Sequence, residues 1–174
     1  MLKGAFIALA IGVGGAANAC PTISPLELSQ VLTAHSVVVG RVQDFSIIPN
    51  GDKTPLAASF KIAVQEVLTG DVSDRLDRWG MLPVTWFNGM GAPSTPRGHS
   101  VFVLRHPSAF EATRWIPQDR LTVLQQGCGP AHIFESSGDV AKGLRQVLDG
   151  EGDAEVELEV LEEFLFGKDR SGLY

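Results

Sequence analysis

Two cysteines and four histidines are the side chains of this 174-residue sequence best suited to act as nucleophile, redox couple or metal ligand: Cys20, Cys128, His35, His99, His106 and His132. Their spacing argues against most of that chemistry. No H-x-x-x-H or H-E-x-x-H pair sets two imidazoles on one helix face, and His99 and His106 fall near opposite ends of one strand-like segment. There is no G-x-S-x-G nucleophile elbow, and no glycine-rich phosphate loop precedes a helix. The glycine-rich stretch "NGMGAPSTPRG" lies between strand-like segments and is expected to be a hairpin loop. The sequence therefore predicts no catalytic residue, no metal site and no cofactor. An enzyme built on this chain would need a site assembled from scattered residues, including at least one histidine and a carboxylate.

The elements that would position these residues begin after a distinctive leader. Lys3 supplies one positive charge, "AFIALAIGVGGAA" follows without any charge, and Ala17 and Ala19 give the small-x-small spacing read by a signal peptidase. Three glycines in the run (Gly12, Gly14, Gly15) weaken a persistent helix, and the run is too short to span a bilayer. Residues 1–19 are thus expected to be a signal peptide cut after Ala19, and the mature chain to be exported, periplasmic or secreted. The mature chain carries no second segment long enough for a transmembrane anchor.

Both cysteines survive that cut. In an oxidising compartment a Cys20–Cys128 disulfide is the simplest pairing, and it would close a loop of roughly 100 residues, worth about 4–5 kcal/mol in the chain-entropy model. The alternative is a lipoprotein acylated at Cys20, with Cys128 free. A lipobox wants a large aliphatic residue three before the cysteine and a small one two before; Ala17 and Asn18 stand there instead.

Ser24, Pro25 and Glu27 suggest a capped helix carrying Leu28, Val31, Leu32 and His35 on one face, with His35 closing its last turn. "SVVVGRVQDFSII" (Ser36–Ile48) and "SFKIAVQEVLTGD" predict an antiparallel hairpin. In the second, Phe60, Ile62 and Val64 face one way and Lys61, Ala63 and Gln65 the other. Gly40 marks a bulge or tight bend. Further strands are expected in Arg78–Phe87, with Leu82, Val84 and Trp86 on one face and Pro83 implying an edge or a strand start, in "HSVFVLRHP", and in "DRLTVLQQGCG". "SSGDVAKGLRQVLDG" predicts a helix with Val140, Leu144, Val147 and Leu148 inward, stopped by Gly150. The acidic tail matches a helix through Val156, Val160 and Leu161, although "EVELEV" alone also fits a strand.

Five strands with helices before and after define an α+β, mainly β class. The mature N-terminal cysteine, the short helix, "HSVVVGRV", "SFKIAVQEVLTGD", "RGHSVFVLR" and the late "GCG" together resemble the netrin-like, OB-type barrel domain of the tissue inhibitors of metalloproteinases and their bacterial relatives. The resemblance covers about Cys20 to Pro130. It implies a five-stranded OB-like barrel with flanking helices, organised as a signal peptide (1–19), a barrel domain (20–135) and a C-terminal helical segment (136–174). In those inhibitors the free amine and carbonyl of the first cysteine grip the target's catalytic zinc, and a disulfide holds that residue in place. Carried over, the binding role falls on Cys20 and Pro21, with Cys128 as the anchor. The family's second cysteine, two residues after the first, is Thr22 here.

Charge narrows the partner. Twenty acidic against 14 basic residues give a net charge of −6 without a basic cluster, which disfavours nucleic acid. The tryptophans Trp79, Trp86 and Trp115 are expected as core or rim packing rather than a stacking surface. The expected partner is another protein, a metalloprotease in the sharpest version. The function so implied is a non-enzymatic protein-binding domain; the alternatives are a lipid-anchored structural envelope protein or an enzyme with a dispersed site.

Overall fold

A computed structural model describes residues 26–48, 57–87, 93–114, 117, 119–126, 129–150 and 153–166. The chain is mixed α+β and mainly sheet. Strands β1 (Ser36–Ile48) and β2 (Ala57–Thr69) form the expected antiparallel hairpin, and β3 (Met81–Phe87) lies antiparallel on β2. Strand β4 (His99–Arg105) is followed by a short helix, α1 (Ala109–Arg114), and by β5 (Leu121–Val123). β5 runs parallel to β3, with Val84 opposite Leu121, and antiparallel to β4, which returns along β1. These pairings close a ring of five strands. A sixth, β6 (Ile133–Glu135), extends the sheet from β4 beside Ser100–Phe102.

Ring closure depends on the bending of β1, which pairs with β2 on one edge and β4 on the other. Its register against β2 shifts at Val37/Val38, Val39/Gly40 and Gln43/Ser46, and each irregularity bends the strand and raises its twist. Gly40 permits a close approach within β1: a Cβ there would lie 2.5 Å from Ile62 Cγ2 and 2.6 Å from the Ala63 carbonyl oxygen. The bulge expected at this glycine is present.

Two apolar cores follow from the alternation. Val38, Phe60, Ile62, Leu82, Val84, Trp86, Phe102, Leu104, Leu121 and Val123 fill the ring interior. Their neighbours Val37, Val39, Val101 and Val103 point outward. They are covered by a 3₁₀ turn (Leu28–Thr33) and by helices α2 (Asp139–Asp149) and α3 (Ala154–Phe166). The run "VVV" is therefore apolar because both faces of β1 are buried there.

Several local expectations change. The segment after Glu27 is a 3₁₀ turn, and Glu27 makes no side-chain cap; Ser24 and Pro25 lie outside the described residues. With three residues per turn, Leu28 and Val31 eclipse on the buried side while Leu32 turns out, 43% exposed. His35 does not close this turn: the chain is already extended at Ala34, and the His35 N–H donates to Leu104 O at 2.8 Å. β3 starts at Met81 because the Asp77 carboxylate accepts the N–H groups of Trp79 (2.9 Å) and Met81 (3.0 Å), holding the chain in a turn before it. β3 is not an edge, since β2 and β5 flank it; Pro83 precedes the stretch paired to β5, which begins at Val84. α2 buries Leu144 and Val147 as expected, with Val140 and Leu148 partly covered. The tail is a helix, but its inward face is Leu158, Leu161 and Leu165, leaving Val156 and Val160 outside.

Candidate functional site

Cys20, Pro21 and Cys128 lie outside the described residues, as does Trp115. The chain is described from Leu26, six residues beyond Cys20, and from Gly129, directly after Cys128, and the two stretches meet. Glu27 O lies 3.0 Å from His132 Nε2, joining positions seven residues beyond Cys20 and four beyond Cys128. The His132 ring is buried, with Nδ1 3.3 Å from Leu124 O, which already accepts the His132 backbone N–H at 2.9 Å. Each ring nitrogen thus faces a backbone carbonyl oxygen, and the roles the two nitrogens play depend on the tautomer.

The 3₁₀ turn is fixed on its other side by α3, where the Leu28 N–H donates to Glu162 Oε2 at 2.8 Å. Leu28 and Val31 drive their side chains into the outer core. The stretch from Gly129 is held to the ring: Gln125 Nε2 donates to Gly129 O (2.7 Å), and Trp86 Nε1–H donates to Gln125 Oε1 (2.9 Å). Sequence reasoning placed His132 only among the histidines. Its contact with Glu27 spans 105 residues, which local pattern does not reveal.

Of the remaining histidines two meet and the third, His99, stands apart. His35 and His106 pack with their rings tilted by 58° and 4.4 Å between centroids, where β1 begins and β4 ends, and His35 Nε2 is buried without a hydrogen-bond partner. Desolvation, then the His35 ring and the Arg75 guanidinium, hold His106 below the ordinary histidine pKa. His99 Nε2 lies 3.1 Å from the Gln65 amide nitrogen on another part of the sheet. Among the described residues, no three of His, Cys, Asp or Glu are grouped to hold a metal ion.

A cleft of about 200 Å³ lies between Phe87, Arg105, Ser108, Phe110, Glu111 and Gln125. Glu111 is buried there, and both its oxygens accept from Arg105, at 2.7 and 2.8 Å. Burial raises its carboxyl pKa, but the Arg105 hydrogen bonds, the Ser108 N–H and hydroxyl, and the guanidinium charge outweigh it, so the net shift is downward. A carboxylate held ionised with both oxygens engaged is poorly placed for acid–base catalysis at neutral pH. Its helix was legible in principle: Ser108-x-x-Glu111 is a capping box, with Ser108 N–H donating to Glu111 Oε2 (2.7 Å) and Glu111 N–H to Ser108 Oγ (3.3 Å).

Of the tryptophans, Trp86 packs inside the ring as expected. Trp79 is 61% exposed, with Arg78 Cζ 3.9 Å and Lys61 Nζ 4.6 Å from its ring. Both cations pack on this ring, which lies at the surface rather than in the core. No protein-family model matches this chain, and no curated protein matches it.

Proposed function

We propose that the chain is an exported, non-enzymatic protein-binding domain: an OB-like barrel of the netrin type that presents its mature N-terminus to a partner, with a zinc metalloprotease as the sharpest version. A single apolar core inside a ring of five strands is what an OB-type barrel requires. The observation that carries the reading is the Glu27–His132 contact. It brings the stretches after Cys20 and Cys128 together, and seven and four residues of chain readily span the separation a disulfide allows. A cysteine so anchored would hold its α-amine, with an ordinary pKa of about 7.7–8, partly neutral near pH 7.5 and available to a metal.

The test uses the mature chain beginning at Cys20, whose mass should lie two hydrogens below that of the reduced form. That chain should inhibit a zinc metalloprotease within a panel, and a variant with one alanine added before Cys20 should not. A lipid increment on Cys20 overturns the anchored free amine. Absence of inhibition across the panel by a chain with a free N-terminus overturns the metalloprotease version.

A further inference from the structure

Helix α3 has two apolar faces, and the fold uses one. Leu158, Leu161 and Leu165 pack against the outer core, and Leu158 is fully buried. On the other side, Val156, Val160 and Phe164 recur at i, i+4 and i+8 and stand 54%, 64% and 81% exposed. Two hollows flank this stripe. One of about 280 Å³ is lined by Gln146 and Val147 of α2 with Glu157, Val160, Leu161 and Phe164. The other, about 490 Å³, lies between Glu159, Val160, Glu163 and Phe164.

The stripe is bordered by carboxylates on both sides, Glu157 on one and Glu159 and Glu163 on the other, and α3 contains no basic residue. That rim decides the occupant. A second copy meeting the same face would set these glutamates against one another, and an anionic bilayer would be repelled. An amphipathic helix with lysines or arginines beside its apolar stripe satisfies both features at once, in the helix-in-groove mode.

We infer that the Val156–Val160–Phe164 face of α3 docks a cationic amphipathic helix of a partner protein. This surface lies on α3, outside the N-terminal residues on which the proposed function rests. The alanine extension before Cys20 should leave it unchanged, so the two readings fail separately.

The probe is a synthetic Leu/Lys amphipathic peptide of about 18 residues, with a Leu/Glu peptide of the same pattern as control, titrated into the mature chain by fluorescence anisotropy. The Leu/Lys peptide should bind and the Leu/Glu peptide should not. A Val160→Ala/Phe164→Ala variant keeps every charge and loses only exposed side chains; it should keep the parent circular dichroism and weaken binding about tenfold or more. Equal binding by parent and variant, or no binding of the Leu/Lys peptide, overturns the inference. So does a concentration-dependent dimer that Phe164→Ala abolishes, which would make a second copy the occupant.

Discussion

Arg105 and Glu111 meet in two parallel contacts, Nη2 to Oε1 at 2.7 Å and Nη1 to Oε2 at 2.8 Å, tying the end of β4 to α1. The same carboxylate receives the Ser108 N–H, so its loss would undo a cap and an ion pair together. Glu111→Ala leaves the largely covered guanidinium without its carboxylate, with the His106 carbonyl still accepting from Nη1 at 2.9 Å. The expected cost is about 2–3 kcal/mol, read as a lower urea midpoint at unchanged m-value. Glu111→Gln retains an acceptor and should cost less. Equal losses for the two variants would show that the retained acceptor contributes nothing and that the carboxylate's charge accounts for the stabilisation.

Gly40 makes the bend in β1 by close approach. Its missing Cβ would meet both a side chain, Ile62 Cγ2, and a backbone oxygen, Ala63 O. Gly40→Ala should therefore destabilise by about 1–3 kcal/mol. Adding Ile62→Ala should fail to rescue it, because the carbonyl remains and a cavity is added. Recovery of stability in the double variant would place the constraint on the side chain alone.

These two sites mark what pattern does and does not carry. Alternation in Phe60, Ile62 and Val64 gave the inward face of β2 directly, and Gly40 stood out inside an apolar run. Ring closure was beyond local pattern, since the pairing of Val37 with Val103 and of Val84 with Leu121 joins distant segments. β6 is three residues long and bears no periodicity. The sequence holds two S-x-x-E boxes: Glu27 of the one at Ser24 makes no side-chain cap, while the one at Ser108 caps α1, a helix too short to carry a periodic signal. For the proposed binding site, the resemblance points to Cys20 and Pro21 with Cys128 as anchor, but the contact that joins the chain beyond the two cysteines is between a backbone carbonyl and a buried imidazole, which spacing cannot pair.

Acid should weaken the fold in two stages. The folded chain resists protonation of His106, whose pKa is lowered by desolvation and by the facing His35 and Arg75. The unfolded chain takes up that proton near pH 6.5, so stability falls as pH drops below about 6.5 and until the lowered folded value is passed. Asp71, beside His35 and held low by hydrogen bonds from Ser73, and Glu111 have the depressed carboxyl values that bring a second decline at more acidic pH. Their stabilisation is present above the ordinary carboxyl range, near about 4, and is lost as pH falls through the folded values. Urea midpoints between pH 8 and 5 should slope for the parent chain and flatten for His106→Asn. A slope that persists in His106→Asn would assign the first stage elsewhere.

The two faces of α3 give the sharpest separation of folding from recognition. Leu158 is fully buried against the outer core, so Leu158→Ala should cost about 2–5 kcal/mol through lost contacts and a residual cavity. Val160, two residues on and 64% exposed, touches little of that core, so Val160→Ala should fall within about 0.5 kcal/mol of the parent. Thermal unfolding of the two variants side by side checks this. A large loss at Val160 would mean that the stripe is already engaged in holding the fold together, leaving it unavailable to a partner. Stability indifferent to Val160 and strongly dependent on Leu158 leaves an apolar row, framed by carboxylates, whose hydrophobicity the fold does not require.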